Sequence, residues 1–256
     1  MKKKNIIANW KLNGNKHSII SFLSQLNRHL TVKESNILDI SIAFPIVYLD
    51  MAHQIISDFD FKISLCAQNV NYNTVGAFTG EISVYMLKDI GVKHVIIGHS
   101  ETRKNHKETE KNILKKFIEI KKSNLIPILC IGETLKQKES GKTELIIKKQ
   151  LSTILNSLGN ESFDNTIIAY EPIWSIGTGK NASTSEIKKI NNFIRNHITS
   201  FNESNIIDFL IFYGGSVNEK NVEYLSKKKY IDGLLIGSSS LNSDEFINII
   251  KIITNN

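Results

Sequence analysis

Four places in this sequence bring together residue types that could do chemistry on a small anionic metabolite. Glu171 follows the apolar run Thr166 to Tyr170 and precedes Pro172 and Trp174, so its carboxylate stands at the rim of a buried strand. Burial at such a rim strengthens a carboxylate as a base, which proton abstraction requires. Of seven histidines, His99 is the one that directly follows a buried-looking run, inside Gly98-His99-Ser100-Glu101. An imidazole there can donate or accept a proton, or simply be satisfied by a backbone partner. Asn9 and Lys11 put an amide and an ammonium at another strand exit, where a plain surface pair is the alternative. Gly214-Gly215-Ser216 and Gly237-Ser238-Ser239 end two further runs. Small residues there let main-chain N–H groups approach a phosphate, or serve only as turns. For Glu171 the competing reading is a carboxylate paired to a lysine.

The elements that must position these groups are legible as β-rich runs at Ile6 to Trp10, Asp39 to Phe44, Phe61 to Ala67, His94 to Gly98, Ile126 to Ile131, Thr166 to Tyr170, Phe209 to Tyr213 and Gly233 to Ile236. They are mostly continuously apolar, as strands covered on both faces are. Helically spaced segments lie between them, such as Ile113, Leu114, Phe117 and Ile118. Ser183 with Glu186 forms a capping box that opens one helix, and Gly91 closes another after Ile90. About eight alternating units without a Pro- or Ser-rich linker predict an α/β fold of one domain spanning residues 1–256, either a closed barrel or an open doubly wound sheet. The strand count favours the barrel, and in both, ligands bind at the carboxyl ends of the strands. Pro172 to Gly179 starts rigid and ends glycine-rich, as a hinged lid would.

Composition narrows the partners. With 41% hydrophobic and 22% charged residues the chain is of ordinary globular make-up. Its net charge of +7 is spread in short lysine groups along the whole length, which reads as solvated faces and gives no nucleic-acid footprint. Cys66 and Cys130 sit in apolar stretches with no metal-ligand spacing, so buried free thiols and a reducing, cytoplasmic setting are expected. Asn9, Lys11 and Asn13 interrupt the N-terminal apolar run too early for a signal peptide, and no run is long enough for a membrane span. Gly141-Lys142-Thr143 imitates a nucleotide P-loop, but Lys136 stands where its first glycine must be. Gly177 to Ala182 fits a dinucleotide pattern only on paper, because it begins well past the strand end.

Taken together, Asn9 to Asn13, Gly98-His99-Ser100-Glu101, Cys130-Ile131-Gly132-Glu133, Ala169 to Trp174 with Ile176-Gly177-Thr178-Gly179-Lys180, and Tyr213-Gly214-Gly215-Ser216-Val217 resemble the triosephosphate isomerase family, in order along the whole chain. The resemblance implies a (β/α)8 TIM barrel and, without cofactor or metal, interconversion of glyceraldehyde 3-phosphate and dihydroxyacetone phosphate through an enediolate, in glycolysis and gluconeogenesis. By the same resemblance Glu171 is the base, His99 the neutral donor to the enediolate, Lys11 its countercharge and Asn9 the residue that orients Lys11. The amides of Gly177, Ser216, Gly237 and Ser238 hold the phosphate, while Glu101, Glu133 and Trp174 support the pocket and its lid. A homodimer is also implied, with Thr79 on the loop Gly76 to Glu81 entering the partner near Asn9 and Lys11. Three positions depart from the family: Thr102 for arginine, Ser175 for alanine and Ser238 for glycine. At Ser238 strain is expected if that backbone needs a positive φ. An aldolase on the same barrel would use a Schiff-base lysine within a strand, which borohydride trapping would reveal, and a catalytically idle barrel would bind phosphate ligands without turnover.

Overall fold

The computed structural model describes residues 3–178, 181–201 and 207–255. Its strands are β1 (Lys4–Asn9), β2 (Leu38–Ala43), β3 (Ile63–Ala67), β4 (Val92–Ile97), β5 (Ile126–Ile131), β6 (Thr166–Tyr170), β7 (Phe209–Tyr213) and β8 (Gly233–Ile236). Each pairs in parallel with the next, and β8 returns to pair with β1, closing the barrel that the strand count favoured over an open sheet. Helices join the strands on the outside, among them Thr184–Thr199, opened by the Ser183–Glu186 capping box, and Val84–Asp89, followed by Gly91 at φ 76°.

Two apolar layers follow from the two-residue period of a strand. Ile6, Ala8, Ile168, Tyr170, Ile211 and Tyr213 pack outward with helix residues such as Ile19 and Phe22. Ile7, Ala43, Ile96, Cys130, Ile167, Ala169, Phe212 and Leu235 form a separate cluster made of strand residues alone, which is the filling of the barrel. Continuing the inward parity past the strand ends delivers Asn9 and Lys11 from β1, Glu171 from β6, Gly214 and Ser216 from β7, and Gly237 from β8 to one mouth. On β4 the parity would send His99 outward with Val95 and Ile97. Gly98 breaks it with a φ of 66°, a conformation that costs glycine little, and His99 turns in over the barrel.

At the other end of the interior, His94 Nδ1 lies 3.0 Å from Ser41 Oγ with both residues buried. Burial holds this imidazole neutral, with its pKa lowered from 6.5 to about 3. A lowered folded-state value means stability that is fully present above pH 6.5 and is withdrawn as pH falls toward about 3. The slope is about 1.4 kcal/mol per pH unit, so going from pH 6.5 to 5 should cost about 2 kcal/mol from this group. Urea titrations at the two pH values should show this loss in the parent chain and a flatter dependence in His94→Gln. Both cysteines are free and buried, and burial pushes both thiols up. Among the described residues no helix is long and apolar enough to cross a membrane.

Candidate active site

A cavity of about 300 Å³ opens at the carboxyl mouth of the barrel, lined by Asn9, Lys11, His99, Glu171, Ser216 and Ser238 among others. The β1 end is built around a strained lysine. Lys11 sits at φ 53°, a left-handed conformation unusual for a side chain of this size. Two bonds hold it there: its N–H donates to Asn9 Oδ1 at 3.1 Å, and its carbonyl accepts from Gln68 Nε2 at 2.9 Å. Gln68 also donates to Ala43 O at 2.8 Å, which ties the exits of β1, β2 and β3 together. The Lys11 ammonium reaches Glu101 Oε1 at 2.5 Å on a partly exposed rim, where such a pair orients the lysine more than it stabilises the fold.

His99 is the N-cap of helix Ser100–Asn105, and its Nδ1 accepts the Glu101 N–H at 3.2 Å. A ring nitrogen that accepts carries no proton, so the neutral imidazole bears its hydrogen on Nε2. That atom lies 3.2 Å from Glu171 Oε1, while Glu171 Oε2 accepts the Ser100 N–H at 3.5 Å. The histidine thus has the backbone partner that was one reading of it, and still turns a donor into the cavity. The carboxylate faces an imidazole, an amide and the Cys130 thiol, and among the described residues no lysine pairs with it. Glu171 is 3% exposed and closely walled. A Cβ at Gly132 would fall 1.8 Å from its carbonyl oxygen, and one at Gly214 would fall 2.8 Å from its Cγ.

Opposite, Ser216 Oγ donates to Ser175 O at 2.7 Å, joining the β7 exit to the segment after Glu171. Gly177, Ser216, Gly237 and Ser238 all border the cavity. Behind Glu171, Trp174 Nε1 donates to Glu133 Oε1 at 2.8 Å, Tyr170 OH donates to Glu133 Oε2 at 3.2 Å, and Lys138 Nζ lies 3.5 Å above the Trp174 ring. Burial raises the Glu133 pKa although these hydrogen bonds pull it down. Gly179 and Lys180, the end of the lid motif, lie outside the described residues. Thr79 is exposed and stands apart from this cavity.

The departures are accommodated locally. Ser238 does not have a positive φ, so the expected strain is absent. Ser175 is fully buried and donates to Pro172 O at 2.9 Å. Thr102 Oγ1 lies 2.8 Å from His99 O and 3.0 Å from Glu108 Oε2. Sequence reasoning missed Gln68 as the clamp on Lys11, the Ser100 amide, and the role of Gly132 and Gly214 as walls for Glu171. Only Gln68 carried a usable signal, because it follows the β3 exit.

Acid–base side chains gathered at the carboxyl mouth of a closed eight-stranded barrel define a (β/α)8-barrel enzyme. The chain belongs to the triosephosphate isomerase family, whose sequence profile matches residues 4–253. It is 51% identical to the triosephosphate isomerase of Buchnera aphidicola subsp. Cinara cedri over 98% of this chain and 99% of that one. Against the triosephosphate isomerase of Blochmanniella floridana it is 46% identical over 100% and 97%. Against that of Sodalis glossinidius it is 44% identical over 96% and 95%.

Proposed function

We propose that Glu171 shuttles a proton between adjacent carbons of a triose phosphate while His99 and Lys11 stabilise the enediolate between them. The activity is that of the family: an aldose–ketose isomerase interconverting glyceraldehyde 3-phosphate and dihydroxyacetone phosphate, a step of glycolysis and gluconeogenesis. The Glu171 carboxylate takes the proton from the carbon beside the carbonyl, and the C–H electron pair becomes the enediolate. His99 Nε2–H gives its proton to the carbonyl-derived oxygen and takes the hydroxyl proton from the other oxygen, and the protonated Glu171 returns hydrogen to the neighbouring carbon. Triosephosphate isomerases are a standing example of a glutamate base beside a neutral histidine. The observation that carries this reading is the engagement of His99 Nδ1 by the Glu101 amide, which leaves the Nε2 donor 3.2 Å from the carboxylate. Proton transfer of this kind needs no hydride carrier or metal, because preorganised donors meet the developing charge.

In this reading Lys11 supplies positive charge to enediolate and phosphate, Asn9 orients it, and Glu101 steadies its ammonium. The amides of Gly177, Ser216, Gly237 and Ser238 hold the phosphate, the first arriving as the lid shuts. Glu133 and Trp174 serve the lid hinge, and closure keeps water from an intermediate that could otherwise expel its phosphate. Isomerisation of dihydroxyacetone phosphate in D2O should yield glyceraldehyde 3-phosphate labelled at C2, since a carboxylate exchanges its proton with solvent. Complete absence of label would mean direct hydride transfer and would remove Glu171 from its role.

Residues 1–256 act as one domain here, and the working form is a cytoplasmic homodimer. What supports the dimer is the exposure of Leu12, Val47 and Val75 on the loops after β1, β2 and β3, with Tyr85 and Met86 just beyond, on neighbouring strand ends of a closed barrel. Large apolar side chains exposed on neighbouring strand exits are the kind of surface a partner covers. Thr79, on the same exposed loop as Val75, would approach the partner's mouth. At micromolar concentration the chain should sediment at twice its 29.0 kDa mass.

A further inference from the structure

The run after β8, Gly237-Ser238-Ser239-Ser240, carries three hydroxyls, and the structure uses only one of them internally. Ser240 is fully buried, and its Oγ donates to Gly237 O at 2.7 Å, closing the turn on itself. The backbone of this short turn is also self-contained, with Ser240 N donating to Gly237 O at 2.9 Å and Leu241 N donating to Ser238 O at 3.0 Å. Ser238 and Ser239 differ. Both line the cavity, Ser238 exposed at its mouth and Ser239 only 8% exposed in its wall, and neither hydroxyl has a hydrogen-bond partner among the described residues. Ser216 cannot play the same part, because its hydroxyl is already given to Ser175 O. Neither oxygen is sealed away from the cavity, so each can exchange a water for an acceptor that enters. Lys11 flanks the same rim, its Cε 3.8 Å from where a Cβ on Gly237 would be.

We infer that the hydroxyls of Ser238 and Ser239 donate to the phosphoryl oxygens of the substrate, so that side chains as well as main-chain amides grip the anion here. A dianionic phosphate monoester offers acceptors and no donors, which is the complement of two free hydroxyls beside an ammonium. The inference rests on the reading that the phosphate lies at the β7–β8 end of the cavity. It makes Ser238 and Ser239 determinants of affinity for the phosphate group, in addition to the Ser238 amide.

The test compares KM for glyceraldehyde 3-phosphate and the inhibition constant of inorganic phosphate in the parent chain, Ser238→Ala, Ser239→Ala, the double variant and Ser238→Thr. Each alanine should raise both constants about tenfold and the pair up to about a hundredfold, the low end of the range for loss of hydrogen bonds to a charged group. The inhibition constant of inorganic phosphate reads the grip itself, and any part of that grip used in the transition state appears as a further fall in kcat. Ser238→Thr keeps the hydroxyl and should stay near the parent value. Because Ser238 is exposed, its variant should fold even if the Ser239 one does not, and thermal unfolding of each checks this. Competition by phosphate in the parent with no change in the Ser238→Ala constants would overturn the hydroxyl contact at Ser238 while leaving the site reading intact. Failure of phosphate to compete with substrate at all would overturn both.

Discussion

Glu171→Gln should turn over about a thousandfold more slowly than the parent chain, within the range that loss of a general base produces. Glutamine has the size of glutamate, so the close walls at Gly132 and Gly214 still fit it. Its amide, however, cannot take a proton from carbon. There is a second consequence in the hydrogen bonding. Glu171 accepts from His99 Nε2 through one oxygen and from the Ser100 amide through the other. Glutamine has one acceptor and one donor, so one of the two contacts becomes donor against donor and is lost. A stability decrease of about 1 kcal/mol should accompany the kinetic loss. Binding of a phosphate-bearing analogue should largely persist, because the proposed phosphate anchor at Ser216, Gly237 and Ser238 does not include Glu171. The pair of measurements separates roles: a variant as active as the parent would remove Glu171 from the chemistry, and a variant that loses analogue binding in parallel would make it a structural residue.

Lys11→Met should lower kcat/KM by about a hundred- to a thousandfold, as removal of a preorganised charge from a transition state does. Methionine keeps most of the chain length and removes the ammonium. Its backbone can stay at φ 53° because the bonds from Asn9 and Gln68 are made by main-chain atoms of residue 11. The ion pair to Glu101 is partly exposed, so its loss should shift the unfolding midpoint little. A large fall in thermal stability, or a kcat/KM within tenfold of the parent, would count against the assigned countercharge. Lys11→Arg should not restore activity fully, since a planar guanidinium does not present charge from the same point.

How much of this was legible in advance depended on whether a feature was local. The strands β5 to β8 stand where their apolar runs lie, because both faces of each are covered. At β1 and β4 the paired strand begins two residues earlier than the apolar run. Lys4 and Asn5 pair with Leu38 and Asp39, where polar side chains do not mark a strand, and Val92, buried and paired with Leu65, is cut off from the apolar run by the exposed Lys93. Within the site, Asn9, Lys11, His99 and Glu171 could be found because each lies at or within two residues of a strand's end, and the barrel brings strand exits together. The inward turn of His99 depends on one dihedral at Gly98, which only coordinates reveal. The wall that Gly132 makes for Glu171 joins residues nearly forty positions apart through the β5–β6 pairing, and no local pattern announces such a contact. At Ser238 strain was conditional on a positive φ, and the backbone there does not have one.

The environment of the two indoles gives this chain a built-in optical probe. Trp10 is 2% exposed and locked edge-on against Phe22 and Phe44, with ring centroids 5.0 and 4.8 Å away. Trp174 stands at the root of the segment over the cavity, hydrogen-bonded to a carboxylate and capped by an ammonium. Any rearrangement of that segment alters the charges around Trp174, whereas Trp10, which borders the same cavity, is pinned between its aromatic neighbours. Intrinsic emission would therefore report a movement of that segment in real time without an attached dye, and Trp10→Phe would leave only the Trp174 signal.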